Sequence, residues 1–360
     1  MITLIKSDDF SRVKTEQRRN KDNNRNKDNK KEPLMKLRTL GKSGYSISEM
    51  GIGCWQLGND FGPMEDERAT AILQEADRQG MNFWDTADVY GGGVSESRIG
   101  GYCRENPSDR FIVTKVGRDG TLYPGAYTKQ KVRANIEGSL KRLHVEALDL
   151  VQLHCIPTEV LKAGDMLAWM EDFQQEGLIK HFGASVETMD EALFAITHPQ
   201  LTSIQTIFNV FRQDQVNELF PKAIENQVGI IVRLPLASGV LSGKMQKNHQ
   251  FAESDHRHYN RDGAFFSVGE TFSGIPFEQA VEFAETLKAW LPEGMSLAQM
   301  AMRWVLDHDA VSSVITGASR VEQVAENASV SSLEPLSSQL HEKLTEFYFN
   351  TVKTHIRGVM

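Results

Sequence analysis

A (β/α)8 barrel, the TIM-barrel class of α/β fold, is what the sequence predicts, on three observations. Strand and helix patterns alternate from residue 50 to the end of the chain, and eight segments read as strands. Several of these are apolar nearly throughout, as parallel strands covered on both faces are. No G-x-G-x-x-G follows the first of them, which weighs against the alternative, a doubly wound open sheet with a Rossmann-type site.

The elements follow in order. Residues 1–34, including "SDDFSRVKTEQRRNKDNNRNKDNKKEPL", hold too little apolar surface to order themselves. A disordered basic extension is therefore expected there, with the barrel domain over residues 35–360. The segment lacks the apolar run of a secretory signal, and its acids argue against a transit peptide. Next, "MKLRTL" and "YSISEMGI" alternate on either side of "GKSG", the pattern of a small N-terminal hairpin. The barrel strands are expected in "MGIGCW", "MNFWDTA", "RFIVTKV", "LDLVQLH", "IKHFGAS", "SIQTIFN", "GIIVRLPL" and "SSVITG". Between them, Thr128 to Leu143 puts Val132, Ile136, Leu140 and Leu143 on one stripe, with Thr128 as N-cap. Glu65 to Gln79, Met189 to Thr197 and Phe277 to Trp290 carry similar stripes. A helix starts within "SES" after three glycines, with Ser95 or Ser97 as its cap, and "LSSQLHEKLTEFYF" reads as a last helix packed on the barrel. One connection, Ser242 to Gly274, has the length of a functional or disordered loop.

Composition narrows the function. The chain has 360 residues, a formal net charge of -8, 24% charged and 40% hydrophobic residues. That acidic, globular balance argues against nucleic acid as the main partner. No apolar run approaches the ~18–20 residues of a membrane span. The 3 cysteines, Cys54, Cys103 and Cys155, form no disulfide framework and read as free thiols in a reducing, cytoplasmic setting.

A barrel gathers its site at the C-terminal ends of its strands. Asp85 ends the second strand and Tyr90 lies in the loop that follows, in "FWDTADVYGGG". Lys115 ends the third, in "FIVTKVG", and His154 the fourth, in "LVQLHC". A tyrosine with its ordinary pKa near ~10 needs positive charge beside it to act at neutrality. Lys115 can supply that charge, Asp85 can hold Lys115, and His154 can orient a substrate oxygen. Such a group suits proton donation to a carbonyl. Singly, each residue has a structural reading, since a strand-end Asp caps helices and a Lys meets carboxylates. The four together at successive strand ends outweigh it.

With "DTADVYG", "TKVG", "QLH", "PLASGVLSGK" and "ITGASRVEQVAEN" in this order, the sequence resembles the aldo-keto reductase family from Met35 to the final helix. The resemblance implies a (β/α)8 barrel that reduces small aldehydes or ketones with NADP(H). It implies that Tyr90 donates the proton, that Lys115 and Asp85 lower its pKa, that His154 orients the carbonyl, and that hydride comes from nicotinamide C4. Gly53 and Cys54 would then approach the nicotinamide, with Trp55 walling the substrate pocket. Ser185 and Gln205 match the residues that grip the carboxamide, while Val186 stands where the family often has asparagine. Arg233 occupies a position where many members stack a tyrosine on the nicotinamide. A guanidinium also stacks, and its charge is expected to weaken NADP+ relative to NADPH. Leu236 and Ser238 would lie against the pyrophosphate. Gly317, Ser319, Arg320, Gln323 and Asn327 resemble the adenosine clamp, where a helix N-terminus favours phosphate. Some members have arginine at the position of Gln323, so preference for NADP over NAD is expected to lean on Arg320.

Other readings remain beside this one. His249, His256 and His258 in the long loop suggest a metal, but no cysteine or carboxylate set completes it, and a solvated loop is expected. The loop's position puts Arg257 and Phe265 within reach of cofactor or substrate. "SESRIGGYCREN" and "CIPTEVLKAGDM" are expected to line the pocket. A regulatory subunit of a membrane channel, which keeps the tetrad and turns over slowly, and a sugar-phosphate isomerase on the same barrel are the competing functions. The oligomeric state is not encoded in any recognisable motif.

Overall fold

The computed structural model describes residues 35–358; the extension expected to be disordered, residues 1–34, lies outside them. The hairpin forms where alternation suggested it. Strand β1 (Leu37–Thr39) pairs antiparallel with β2 (Ser46–Ser48) around a short turn at Gly41–Ser43. Eight staves follow: β3 (Met50–Gly53), β4 (Phe83–Asp85), β5 (Phe111–Val116), β6 (Leu148–His154), β7 (Ile179–Ser185), β8 (Ser203–Ile207), β9 (Gly229–Arg233) and β10 (Val311–Gly317). They pair in parallel in chain order, and β10 returns to β3, so the barrel is closed and the open doubly wound sheet is excluded.

Why the chain closes this way is visible in its two apolar faces. The outward faces of the strands and the inward stripes of the helices make one large core, including Ile72, Ile136, Phe173, Phe182 and Trp304. The inward faces make a second, smaller one: Phe83, Phe111, Val113, Leu150, Ile231 and Ile315, closed from below by Leu40 and Ile47 of the hairpin. That plug demands glycine at position 41, where φ is +47° and a Cβ would meet Gly229 N at 2.5 Å and Thr202 O at 2.6 Å.

The helices lie close to their expected bounds. Lys129–Leu143 starts after Thr128, whose side chain accepts the Lys131 amide. Asp66–Arg78, Met189–Ala195 and Phe277–Lys288 each fall a little inside the expected spans. The last helix, Ser338–Phe347, continues into a π-helical turn at Tyr348–Val352. The cap after the three glycines differs from expectation. Helix Val94–Glu105 begins at Gly93 in the left-handed region, and Ser95 and Ser97 lie inside it. Ser95 Oγ instead donates to Cys54 O at 2.8 Å, tying this helix to the end of β3. "GIIVRLPL" stops as a strand at Arg233, because Leu234 adopts φ +54°. The long connection after β9 is not structureless: it carries a short helix, His256–Tyr259, and tight turns at Val268–Glu270 and Phe272–Gly274.

Candidate active site

Period-two alternation builds the site directly above the inner apolar layer. Two residues beyond Phe83 is Asp85, and two beyond Val113 is Lys115. Beyond Leu150 come Gln152 and then His154, and beyond Ile231 comes Arg233. The register sets Gly53 beside Asp85, Lys115 beside Gln152, and His154, Ser185 and Gln205 in one row.

Lys115 is 1% exposed and Asp85 2%. Lys115 Nζ donates to Asp85 Oδ1 at 2.6 Å, to Thr86 O at 2.8 Å and to the Tyr90 hydroxyl at 3.3 Å. Burial alone would lower the Lys115 pKa, but Asp85 and Tyr90 outweigh it and hold the ammonium charged. Tyr90 reaches the group from the loop after β4, where Gly91 has φ +59° and a Cβ would lie 2.0 Å from Gly58 O. Burial pushes the Tyr90 hydroxyl up to about 12, against the pull of Lys115. The lowering that the resemblance implied is thus outweighed, and the phenol is protonated at neutral pH. His154 sits edge-on to Tyr90, ring centres 5.9 Å apart. Burial, then Arg118 and Lys115, hold its pKa well below the usual value, and Nδ1 has no hydrogen-bond partner among the described residues.

Several residues expected to bind a cofactor lie next to this group. Gly53 and Gly317 are paired in register, and Cys54 is buried next to Trp55, which stacks on Tyr90 at 5.7 Å. Gln205 is more committed than expected: Nε2 donates to Asp85 Oδ2 at 2.8 Å and to Gln152 Oε1 at 2.9 Å. Its oxygen accepts from Ser185 Oγ at 3.5 Å. Ser238 Oγ donates to Glu270 O and accepts the Phe272 amide, binding the loop beyond Leu236 to the far end of the long connection. Leu234, Ala237 and Ser238 all have positive φ, a run of strained residues of the kind found at ligand clamps.

At the helix Val321–Ala328, Gln323 Oε1 accepts from Ser319 N at 2.9 Å, Arg320 N at 3.2 Å and Ser319 Oγ at 3.2 Å. These three donors, gathered at the start of the helix, are satisfied internally by the Gln323 side chain. Asn327 is buried one turn further on.

Arg233 is 9% exposed, donates to Val186 O at 3.2 Å and lies 3.5 Å from Glu270 Oε2. Arg118 bridges Glu187 at 3.0 Å and Glu270 at 2.9 Å. Burial favours the neutral acid at both carboxyls. Arg118 and Arg233 nevertheless hold Glu270 well below the usual carboxylate range, and the proton lodges on Glu187, raised to about 8. Donor atoms of Cys155, Glu187 and Glu270 lie within 4.8 Å of one another, but the two guanidiniums already supply the positive charge there. Sequence reading missed Arg118, Gln152, Glu187 and Glu270. Gln152 was within reach, being two residues before His154 on the same strand face; Glu270, deep in the long loop, carries no local signal. His256 is a correction: it is buried, not solvated, while His249 and His258 are exposed.

Two surface cavities, of about 240 and 540 Å3, lie elsewhere; the larger runs between helices Asp66–Arg78 and Val94–Glu105, and neither is lined by a tetrad residue.

The aldo/keto reductase family model matches residues 49–348. The chain belongs to this family. As an aldo/keto reductase it is 29% identical over 313 residues to the uncharacterized oxidoreductase YqkF of Bacillus subtilis, covering 85% of this chain and 94% of that one. It is 30% identical over 322 residues to a probable voltage-gated potassium channel subunit beta of Arabidopsis thaliana (84% and 93%). Among solved structures, an aldo-keto reductase from Bacillus halodurans in its holo form superposes with a TM-score of 0.68 at 25% identity, over 91% and 98%. A complex of a Klebsiella pneumoniae aldo/keto reductase with NADP and acetate superposes at 0.63 with 21% identity, over 87% and 95%, which bears on the fold.

Two buried imidazoles are expected to make the stability of this protein depend on pH. Burial lowers His256 to about 4, and His154 is also depressed. Their neutral forms are compatible with the fold, so they cost nothing above the unfolded pKa near ~6.5. As pH falls below that value the unfolded chain takes up protons that the folded one refuses, so stability drops. His256 alone is expected to withdraw roughly 3 kcal/mol by pH 4. Urea midpoints of wild type and His256→Leu, compared at pH 7.5 and 4.5, should diverge as pH falls; parallel profiles reject the assignment.

Proposed function

We propose that this oxidoreductase is an NADP(H)-dependent, cytoplasmic reductase of small aldehydes and ketones, with residues 35–360 as its catalytic domain. The observation that carries the reading is a single ammonium, Lys115 Nζ, held by Asp85 at 2.6 Å and facing the Tyr90 hydroxyl at 3.3 Å. Tyr90, protonated at neutral pH, gives its proton to the carbonyl oxygen. Lys115 stabilises the phenolate left behind, Asp85 fixes Lys115, and Gln205 fixes Asp85. Neutral His154 orients the carbonyl by donating a hydrogen bond. Bound nicotinamide supplies the hydride. Ser185 and Gln205 would hold its carboxamide, Gly53 and Cys54 would approach its ring, and Leu236 and Ser238 would bind the pyrophosphate. Gly317, Ser319, Arg320, Gln323 and Asn327 hold the adenosine end, with Arg320 selecting the 2′-phosphate. The Klebsiella complex with NADP supports the cofactor assignment. A carbonyl panel run in parallel with NADPH and NADH tests the reading: turnover with neither rejects it.

A regulatory subunit is the second reading, supported by the 30% identity to a probable potassium channel subunit beta. Steady-state reduction of 4-nitrobenzaldehyde separates the two, since a binding subunit shows almost no turnover.

Arg233 is expected to stack on the nicotinamide with its charge partly offset by Glu270. Arg233→Tyr should raise NADP+ affinity relative to NADPH by about fivefold, an interaction of ~1 kcal/mol. An unchanged ratio of the two dissociation constants rejects the stacking.

A further inference from the structure

His256 sits in the long connection after β9, on the short helix His256–Tyr259. It is 1% exposed, and neither ring nitrogen has a hydrogen-bond partner among the described residues. The nearest acid does not answer for it. Asp255 Oδ1 lies 3.5 Å from Nδ1, but that oxygen already accepts the Arg257 amide and Nε, each at 2.9 Å, and Oδ2 accepts Arg257 Nη2 at 2.5 Å. Native interiors leave few buried polar groups unpaired, because each costs about 1–3 kcal/mol. An imidazole kept in such a place needs a reason.

Its surroundings supply one. The ring centre is 5.0 Å from Trp55 and 4.9 Å from Phe61, with Phe266 at 6.4 Å. Trp55 in turn stacks on Tyr90, so one aromatic wall runs from the proton donor to the histidine. A flat, apolar body fits such a wall, since aromatic faces favour offset or edge-on contact with another ring. The neutral imidazole at the end of this wall carries one donor and one acceptor nitrogen, both buried and without a partner among the described residues. A hydroxyl is the smallest group able to use either.

We infer that His256 is a specificity-determining residue that hydrogen-bonds the hydroxyl of an aryl aldehyde or ketone whose carbonyl lies at Tyr90. The inference rests on the reductase reading and names its substrate class. A site built to hydrogen-bond a substrate hydroxyl discriminates against the analogue lacking it, since its own polar group is then left unpaired.

The test uses matched pairs in which hydroxyl is exchanged for methyl: 3-hydroxybenzaldehyde against 3-methylbenzaldehyde, and the two 4-substituted counterparts. The quantity read is the ratio of kcat/KM within a pair, compared between wild type and His256→Leu, so that intrinsic reactivity cancels. For at least one pair the hydroxyl preference should fall by about tenfold in His256→Leu. His256→Gln, which keeps a donor and an acceptor, should recover most of it. The same ratio is read from binding, by tryptophan quenching when the NADP+-saturated protein is titrated with each aldehyde. If both members of each pair are reduced and the ratio is the same in His256→Leu, the inference falls and the reductase reading stands. If nothing is reduced but the binding preference disappears in His256→Leu, the hydroxyl contact at His256 stands and the reductase reading falls. If both ratios are unchanged, His256 is structural.

Discussion

Tyr90→Phe is expected to lower carbonyl reduction by about 10²–10⁴-fold, the usual contribution of a positioned proton donor. The ring should stay where it is, because its packing does not need the hydroxyl: Trp55 stacks on one side and His154 stands edge-on at 5.9 Å. NADPH affinity, read by fluorescence quenching, should therefore change little. The signature is a loss confined to kcat. The pH profile sharpens the expectation. With the hydroxyl near 12, Tyr90 remains protonated through the neutral range, so wild-type reduction should show no loss of the donor below about pH 9. Retained turnover in Tyr90→Phe, or a KM effect alone, removes Tyr90 from the chemistry.

The same residues show how far a sequence can be read. Barrel class and the strand-end placement of Asp85, Lys115 and His154 are legible because they follow from alternation, whereas Tyr90 lies in a loop. An inward-facing apolar residue sets the level of the residue two positions on, and Phe83 to Asp85 and Val113 to Lys115 repeat that rule. What escaped depends on contacts far apart in the chain. Glu270 meets Arg118 across 152 positions, and nothing near it in sequence announces the meeting. Asp85 is similarly fixed by Gln205 across 120 positions, which ties Gln205 into the tetrad itself. Local rules also failed at the cap of helix Val94–Glu105. Serines usually win such positions, but Ser95 was needed for the buried link from Thr86 Oγ1 to Cys54 O. His256 departs from its expected solvation for the reason common to long loops: polar composition suggests solvent, whereas burial is decided by what the loop folds over.

The charge balance beneath Tyr90 yields the second large effect. Lys115→Met leaves Asp85 almost wholly buried with, among the described residues, only the Gln205 amide at 2.8 Å to satisfy its carboxylate. Breaking a buried pair from one side costs about 3–5 kcal/mol, because the remaining charge has neither water nor partner. A comparable destabilisation is expected, read as a fall in the urea midpoint at constant slope, together with loss of reduction. If Lys115 served the fold alone, repairing the charge would repair the enzyme. Asp85→Asn combined with Lys115→Met makes that repair, since asparagine keeps an oxygen toward Gln205 Nε2 and removes the stranded carboxylate. The double variant should regain much of the lost stability, a coupling visible in a double-mutant cycle. It should stay inactive, because no cation is then left 3.3 Å from the phenol to receive the negative charge that proton donation creates there. Recovery of turnover with stability would make Lys115 a structural ion, and the proton donor would then have to be stabilised by Arg233, the other cation that acts on Tyr90.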